Sequence, residues 1–169
     1  MPKPQSLPAV GSNVRIGLIS DTHGRLDSTV AACFAGVSHI LHAGDVGPPW
    51  IPARLSEIAP VTVVAGNTDD PVHDYPESAT VTLAGKRFLV THIVDPQHPS
   101  ETVERLILGA QPDVVVFGHT HRPFFQKVGP VLFVNPGSAG NARFRLPRTV
   151  AVLTLHGSEF QQELVDLGP

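Results

Sequence analysis

Short apolar runs rich in Val, Ile and Phe recur along the chain, and each has the length of one buried β-strand. Apolar residues at helical spacing lie between several of these runs. Strands that alternate with helices are typical of a parallel sheet with right-handed crossovers. The pattern predicts such strands at 14–20, 39–44, 61–66, 87–91 and 114–118.

Three helices are predicted between the strands. Asp27 is expected to cap a helix whose apolar stripe runs from Val30 to Val37, and Ser100 is expected to cap another. The segment 48–59 begins with two prolines, which suit the first turn of a shorter helix.

The second half of the chain has a different pattern. Two strands are predicted around the turn Ala84–Gly85–Lys86, and the apolar segments 131–138, 149–157 and 160–167 indicate antiparallel returns. The two halves together predict a mixed α/β sandwich of two sheets. Because no repeat, low-complexity tract or linker divides the sequence, residues 14–169 are expected to form one domain.

Composition and charge narrow the function classes. The 169 residues are 41% hydrophobic and 16% charged, as in a compact soluble protein. The net charge of −3 argues against a nucleic-acid partner, which normally requires a basic face, and Arg143, Arg145 and Arg148 are expected to be solvated. With Cys33 as the single cysteine, a metal site must use nitrogen and oxygen ligands.

Residues 1–13 contain no apolar stretch of signal-peptide length, and no later run approaches the roughly 18 apolar residues of a membrane span. We therefore expect residues 1–13 to be a flexible tail on a cytoplasmic protein that has no membrane partner.

Each predicted parallel strand is followed at once by side chains that can bind metals. In open α/β sheets, ligands bind in the crevice outside the carboxyl ends of the strands. One Asp or His after a strand is usually an ordinary loop residue, but agreement at five strand ends favours a site. The residues are Asp21, His23, Asp45, Asn67, His92, His119 and His121.

The last two histidines belong to the segment VVVFGHTHRP at 114–123. In extended chain, residues two apart point the same way, so His119 and His121 are expected to converge on one spot. The glycines before Asp45, Asn67 and His119 would let the backbone come close to metals and to an anionic substrate.

The seven side chains supply two carboxylates, one amide oxygen and four imidazoles. This number exceeds what one four-coordinate zinc takes. It suits two adjacent divalent ions if one carboxylate bridges them, as in hydrolases that attack phosphorus. Two dications against two carboxylates and a hydroxide leave about one positive charge, which attracts a phosphate ester.

Taken in order, the segments DTH, GD, GN.D, a lone His and GHTH resemble the calcineurin-like metallophosphoesterases. SDTHG at 20–24 and NPGS at 135–138 are similar to the small bacterial and archaeal phosphodiesterase branch of that superfamily. The resemblance spans about residues 16–155. It implies a two-sheet mixed β sandwich flanked by helices in four layers, α/β/β/α, and metal-dependent hydrolysis of a small phosphoester substrate, with a phosphodiester favoured.

The resemblance also implies a role for each matching residue. A water or hydroxide between two metal ions would be the nucleophile. Manganese is the first expectation, and iron, zinc, nickel or cobalt stay open because all accept nitrogen and oxygen ligands. Asp21, His23 and His121 would hold the first metal, Asn67, His92 and His119 the second, and Asp45 would bridge both.

Two positions depart from the family pattern. Thr68 stands where larger members have a histidine that protonates the departing alkoxide, and a hydroxyl is a very poor acid near neutral pH. Asn67 and Thr68 are expected to bind substrate, while Asp69 keeps the family's acidic position as a candidate catalytic residue. His42 is a candidate substitute proton donor, or a residue that supports a metal ligand. Ile93 stands where relatives commonly have glycine.

A protein-binding scaffold is the alternative function. The retromer small subunit resembles this fold and lacks the catalytic histidine, so Thr68 alone does not separate an enzyme from a catalytically weak scaffold. The intact ligand set favours the enzyme. A scaffold should show a large exposed apolar patch away from the metals, whereas an enzyme should show an open polar cleft above them. Substrate identity and oligomeric state, including a homo-oligomer, stay open.

Overall fold

The computed structural model describes residues 13–169, so the tail predicted for residues 1–13 lies outside the described residues except for its last position. Within this range no helix is long and apolar enough to cross a membrane. In chain order the elements are β1 (Val14–Ile19), α1 (Val30–Cys33), β2 (His39–His42), α2 (Trp50–Ser56), β3 (Val61–Val63), β4 (Ser78–Leu83), β5 (Lys86–Thr91), α3 (Glu101–Ala110), β6 (Val114–Val116), β7 (Phe124–Val128), β8 (Val131–Asn135), β9 (Thr149–His156) and β10 (Glu159–Asp166).

The strands form two mixed sheets of five strands each. The first has the order β10-β9-β1-β2-β3 and the second β4-β5-β6-β8-β7. β1, β2 and β3 are parallel to one another, as are β5, β6 and β8. The other neighbours are antiparallel. The predicted two-sheet fold is therefore confirmed.

The pairing differs from the sequence prediction in two places. β8 pairs in parallel with β6, although its segment was expected to be an antiparallel return. β7 is a strand that the apolar pattern did not predict. It lies at the edge of the second sheet, and its three central residues are exposed, so it lacks the apolar signal of a buried strand.

Alternation along the strands divides the core into three parts. Ile16 and Leu18 of β1 pack between the sheets with Val114 and Val116 of β6. The next residue of β1, Ile19, packs on the opposite face of the first sheet under α1 and α2. Residues of β5 and β6 pack on the outer face of the second sheet with Val103 of α3, Leu89 and Val115 among them. The layers are therefore α/β/β/α.

The ends of the helices agree with the sequence prediction in one case and not in another. Ser100 caps α3 by accepting a hydrogen bond from the amide of Val103 at 3.3 Å. α1 is only four residues long, and its N-cap is Thr29 instead of Asp27. Asp27 accepts hydrogen bonds from the amide and hydroxyl of Thr29, and a bond of 2.8 Å from Arg148. Arg148 is 1% exposed, so its predicted solvation was wrong.

Candidate metal centre

The carboxyl ends of parallel strands from both sheets meet at one edge of the sandwich, and the side chains that follow them lie within contact of one another. β1, β2 and β3 lead into Asp21 and His23, Asp45, and Asn67, whereas β5 and β6 lead into His92 and the two later histidines. The structure thus brings together all seven residues that the sequence singled out. Metal binding by them stays a prediction.

Asp21, His23 and His121 form the first group of potential ligands. Nε2 of His121 lies 3.2 Å from Oδ1 of Asp21. Nε2 of His23 lies 3.5 Å from Nε2 of His121 and 3.8 Å from the same Asp21 oxygen. Two nitrogens and one carboxylate oxygen therefore surround one point.

Asp45 and His92 form a second group of potential ligands together with Asp21, and Asn67 and His119 lie against His92. Asp45, Asn67, His92 and His119 are therefore called the second group. Nε2 of His92 lies 3.2 Å from Oδ2 of Asp45 and 3.1 Å from Oδ1 of Asn67. Nδ1 of His119 lies 3.0 Å from the same Asn67 oxygen. Oδ2 of Asp45 is also 3.8 Å from Nε2 of His23 in the first group. This carboxylate oxygen thus lies between the two groups, the position that the predicted bridge would need.

The histidines of the GHTH segment do not converge on one spot, and that prediction was wrong. The segment is not extended, because His119 has φ 71° and His121 has φ 60°. The His119 ring lies against His92, with ring centroids 5.4 Å apart, and the His121 ring lies 5.5 Å from that of His23. One short segment therefore contributes a potential ligand to each group.

The ligand loops adopt an unusual backbone conformation. Five of the seven residues have positive φ, a region that non-glycine residues seldom occupy: Asp21, His23, Asp45, His119 and His121. The loops after β1 and β2 hold each other in this state, since the amide of Asp21 donates to the carbonyl of Gly44 and that of His23 to Asp45, both at 2.9 Å. Strain of this kind concentrates at functional sites.

Glycines allow these loops to approach closely, as the sequence suggested. A Cβ atom on Gly44, which has φ +98°, would lie 2.7 Å from Nδ1 of His92. A Cβ on Gly118 would lie 2.6 Å from Oδ2 of Asp21. Any other residue at either position would displace a predicted ligand.

The unpaired atoms of the site fit divalent cations. Oδ1 of Asp21 is buried and has no hydrogen-bond partner among the described residues. Nδ1 of His92 lies 2.7 Å from the carbonyl of Ala43, to which it can only donate, so in the neutral ring the lone pair is on Nε2, which faces the oxygens of Asp45 and Asn67. Lone pairs that face one another in a buried site repel unless a cation or proton lies between them.

The two carboxylates are held in the ionised form that metal binding requires. Burial opposes ionisation of Asp21, but the nearby imidazole of His121 and the hydrogen bond from Ser20 outweigh it and lower the pKa of the carboxyl. Burial likewise opposes ionisation of Asp45, and its contacts with His92 and the amide of Thr68 lower the pKa.

Comparison with known proteins gives the family. Residues 14–158 match the model of the calcineurin-like phosphoesterase superfamily domain. The chain belongs to this superfamily. A probable metallophosphoesterase of Methanothermobacter thermautotrophicus is 34% identical over 160 residues, covering 90% of this chain and 92% of the relative. The phosphodiesterase YfcE of Escherichia coli is 30% identical over 167 residues, covering 83% of this chain and 87% of its own.

Solved structures agree with this assignment. A predicted phosphoesterase from Streptococcus pneumoniae superposes with a TM-score of 0.73 at 25% identity, covering 92% of this chain and 91% of that one. A Vps29 variant from Entamoeba histolytica superposes with a TM-score of 0.70 at 21% identity, covering 90% of this chain and 99% of that one. The second similarity establishes the fold alone. Membership of the calcineurin-like phosphoesterases implies that the chain uses divalent metal ions, and the gathered side chains are candidate ligands for them.

Two residues that hold the ligand loops, Ser20 and Asn135, were given no role from the sequence. Ser20 donates to Oδ2 of Asp21 at 2.6 Å, and the amide of His119 donates to the same oxygen at 3.1 Å. Asn135, at the end of β8, donates to the carbonyl of Gly118 at 3.0 Å. Asn135 of the NPGS segment therefore fixes the GHTH loop, and this segment is the sequence signal that could have pointed to Asn135.

Thr68 lies at the open side of the centre. Its hydroxyl is 3.4 Å from Nδ1 of His23, and its amide donates to Oδ1 of Asp45 at 2.9 Å. Thr68, Asn67 and His119 are exposed, whereas Asp21 and Asp45 are buried. A substrate can thus reach the site from the side that carries Thr68.

Asp69 makes contacts different from those of a catalytic acid. Its carboxylate accepts hydrogen bonds from the amides of Val46 at 3.1 Å, Gly47 at 2.8 Å and Gly66 at 2.8 Å. These bonds tie the loop after β3 to the loop after β2. Asp69 is thus a positioning residue in this structure, and its predicted catalytic role has no contact to support it.

His42 is fully buried, which does not fit a substitute proton donor. Nδ1 accepts a hydrogen bond from the amide of Gly44 at 3.3 Å, so the proton belongs on Nε2, which lies 2.9 Å from the hydroxyl of Thr22. That hydroxyl donates to the carbonyl of Val46 at 2.7 Å. Burial lowers the pKa of His42 to about 4. His42 therefore supports the loop between Asp21 and His23.

Ile93 borders a cavity beside the second group of ligands. The side chain is 52% exposed, and it lines a space of about 380 Å³ together with Asn67, Tyr75 and His92. The residue that replaces the common glycine of relatives therefore narrows this side of the cleft.

Proposed function

We propose that the chain hydrolyses small phosphodiesters at this centre, with two divalent metal ions bridged by Asp45. One observation carries the proposal: two groups of nitrogen and oxygen ligands share the region around Oδ2 of Asp45, and buried Oδ1 of Asp21 lacks a partner among the described residues. The names of the relatives support phosphoester hydrolysis. The open polar side of the centre supports access by a substrate.

Two divalent ions bound there would supply a water of lowered pKa as the nucleophile and would stabilise the charge that develops on phosphoryl oxygens. The chain supplies the remaining parts. Asp21 and Asp45 balance the positive charge, while His23 and His92 are oriented by neighbouring oxygens. The exposed hydroxyl of Thr68 can donate a hydrogen bond to an oxygen of the substrate.

Protonation of the leaving group is the weak point of this site. The Thr68 hydroxyl is a poor acid, Asp69 is occupied by three backbone amides, and His42 is buried. We therefore propose that good substrates are diesters whose leaving group departs without a proton, such as activated aryl esters. Nucleic acid is not proposed as a substrate, because the chain carries a net charge of −3.

The test is a panel of aryl and alkyl phosphomonoesters and phosphodiesters on protein stripped with a chelator, with one metal restored at a time. We expect hydrolysis of bis(4-nitrophenyl) phosphate to return with Mn²⁺ and to a smaller extent with Fe²⁺, Zn²⁺, Ni²⁺ or Co²⁺. Turnover that survives chelation, or no turnover with any of these ions in folded protein, would contradict the proposal.

A protein-binding scaffold is the second candidate, and one feature supports it. Phe125 and Leu164, both partly exposed, line a shallow groove of about 520 Å³ between β7 and β10, together with Phe124 and Phe160. A scaffold does not require the gathered ligand set, so we place it second. Absence of hydrolysis with every metal would favour it. A cytoplasmic location, expected from the sequence, belongs to either candidate.

A further inference from the structure

The loop between β8 and β9 is fixed at its base to the first ligand loop. The amide of Gly140 donates to the carbonyl of Asp21 at 3.0 Å, and Nε of Arg148 donates to the carbonyl of Gly140 at 2.7 Å. Asn141 accepts a bond of 2.8 Å from Arg25. Residues 141–147 are therefore held beside the metal centre.

Phe144 is the most prominent side chain of this loop. Its ring centroid lies 5.8 Å from that of His121, at an interplanar angle of 57°. The side chain is 75% exposed, so it contributes little to the core. Its backbone has φ +56°, and so does that of Arg145, a strained conformation for both residues. An exposed aromatic ring on strained backbone next to a ligand indicates a role in function instead of folding.

Arg143, the residue before Phe144, supplies a cation. Its side chain is exposed and makes no hydrogen bond or ion pair with residues 13–169. Arg143 directly precedes Phe144, whose ring lies against His121, so the chain places Arg143 beside the centre. A guanidinium without a protein partner matches the geometry of two phosphate oxygens.

We propose that Arg143 and Phe144 form a substrate-binding edge that selects phosphodiesters carrying a planar aromatic group. Arg143 binds a phosphate oxygen of the substrate, and Phe144 stacks on the aromatic group. This inference rests on the proposed function and adds a class of substrate to it. The aromatic group is an aryl ring or a nucleobase, since both offer a flat π-face.

The experiment measures binding by calorimetry to Mn²⁺-loaded full-length protein, with two matched pairs of ligands. Phenylphosphonate and methylphosphonate differ by an aryl ring, and adenosine 5′-monophosphate and ribose 5-phosphate differ by a nucleobase. We expect Kd to be about tenfold lower for the aromatic member of at least one pair. A difference in the first pair alone assigns an aryl group, and a difference in the second assigns a nucleobase.

The variants separate the two residues. Phe144→Ala should bring the ratio of Kd values close to one, whereas Phe144→Tyr should keep it because the ring remains. Arg143→Ala should weaken both members of a pair by about tenfold or more, and Arg143→Lys should restore part of that loss. The control is Lys127→Ala. Lys127 is an exposed cation on β7, near the end of the strand that lies away from the GHTH loop. Its replacement should change neither the ratio of Kd values nor the affinity for either member of a pair.

Two outcomes would overturn the inference: equal Kd values within both pairs for the unmodified protein, or an unchanged ratio in Phe144→Ala. Hydrolysis of bis(4-nitrophenyl) phosphate is measured in the same samples. A protein that hydrolyses this diester but shows equal Kd values would contradict the substrate-binding edge and leave the proposed function in place. Absence of hydrolysis with a ratio that depends on Phe144 would contradict the function alone.

Discussion

Asn135 donates a hydrogen bond from Nδ2 to the backbone carbonyl of Gly118 at 3.0 Å, which joins the end of β8 to the loop that carries His119 and His121. The same nitrogen lies 3.2 Å from the hydroxyl of Thr120. Asn135 is fully buried and is not one of the seven predicted metal ligands. The conformation that sends the two histidines to different groups therefore depends on a residue outside the ligand set.

Replacing this amide should weaken metal binding. Asn135→Asp keeps the shape of the side chain but removes both N–H donors, so the GHTH loop loses its anchor. We expect the affinity for Mn²⁺, measured by calorimetry, to fall about 10–100-fold. Gln126→Glu, the same chemical change at an exposed position of β7, serves as the control. A folded Asn135→Asp protein with unchanged affinity would show that the loop holds its conformation alone.

Because Asp45 lies between the two groups, its replacement should reduce activity more than replacement of a residue that belongs to one group. Asp45→Asn removes half of the carboxylate charge and the oxygen shared by both groups, whereas His23→Ala removes one nitrogen from one group. We expect kcat/KM for bis(4-nitrophenyl) phosphate to fall by about 100-fold or more in Asp45→Asn, and by less in His23→Ala. Circular dichroism checks the folding of both variants. Near-normal turnover of Asp45→Asn would exclude the bridge.

The buried His42 predicts how stability depends on pH. An unfolded histidine takes up a proton near pH 6.5, but the folded protein resists this until about pH 4, because burial disfavours the cation. The unfolded state therefore binds more protons between these values. Stability from this residue is fully present above pH 6.5 and is lost as pH falls towards 4.

Urea unfolding in the presence of a chelator measures this effect. Between pH 7.5 and pH 5 the wild type should lose about 2 kcal/mol of unfolding free energy through His42. His42→Gln, which cannot take up a proton, should show a pH dependence that is smaller by this amount. Carboxylates and histidines that do not interact with His42 contribute equally to both proteins and cancel in the difference. If the unfolding free energy depended on pH equally in the wild type and in His42→Gln, His42 would be already protonated, or exposed to water, in the folded state.

The pattern of apolar residues predicted the two sheets and the position of the site because both depend on strand ends, which short apolar runs followed by Asp, Asn or His mark clearly. Asp45 and His92 could be placed in this way without knowledge of the connections between the strands. The paths of the loops could not be predicted. Positive φ at His119 and His121 arises from contacts with residues distant in sequence, such as Asp21 and Asn135.

Burial of single charged residues was the second limit of the sequence. Arg148 lies in a run of arginines that is typical of a solvated surface, yet it is buried because Asp27, more than 100 positions earlier, pairs with it. Nothing local separates it from Arg143, which is exposed. The role of Asp69 could not be predicted locally either, because its three amide partners come from two loops.

The loop at Thr68 gives the sharpest test of the proposed mechanism, because the side chain is exposed beside His23 and can be exchanged without opening the core. Thr68→His places an imidazole where larger members of the family have one. General acid assistance is typically worth about 10²–10⁴-fold in rate, or roughly 3–5 kcal/mol of barrier, and only when the leaving oxygen needs a proton. We therefore expect Thr68→His to accelerate hydrolysis of an unactivated dialkyl phosphodiester and to leave bis(4-nitrophenyl) phosphate nearly unchanged.

The sequence suggested that Asp69 would be needed for this gain, because an acidic neighbour favours the protonated imidazole. The structure adds that Asp69 also holds the loop, so Asp69→Asn in the Thr68→His background must be compared with Asp69→Asn alone. Thr68→Asn, which introduces no acid, is the control for the size of the side chain and should not accelerate the dialkyl ester. If Thr68→His left the ratio of aryl to alkyl rates unchanged in folded, metal-loaded protein, position 68 would not face the leaving group. A wild type that already cleaves both esters at similar rates would require a proton donor other than Thr68, Asp69 or the buried His42.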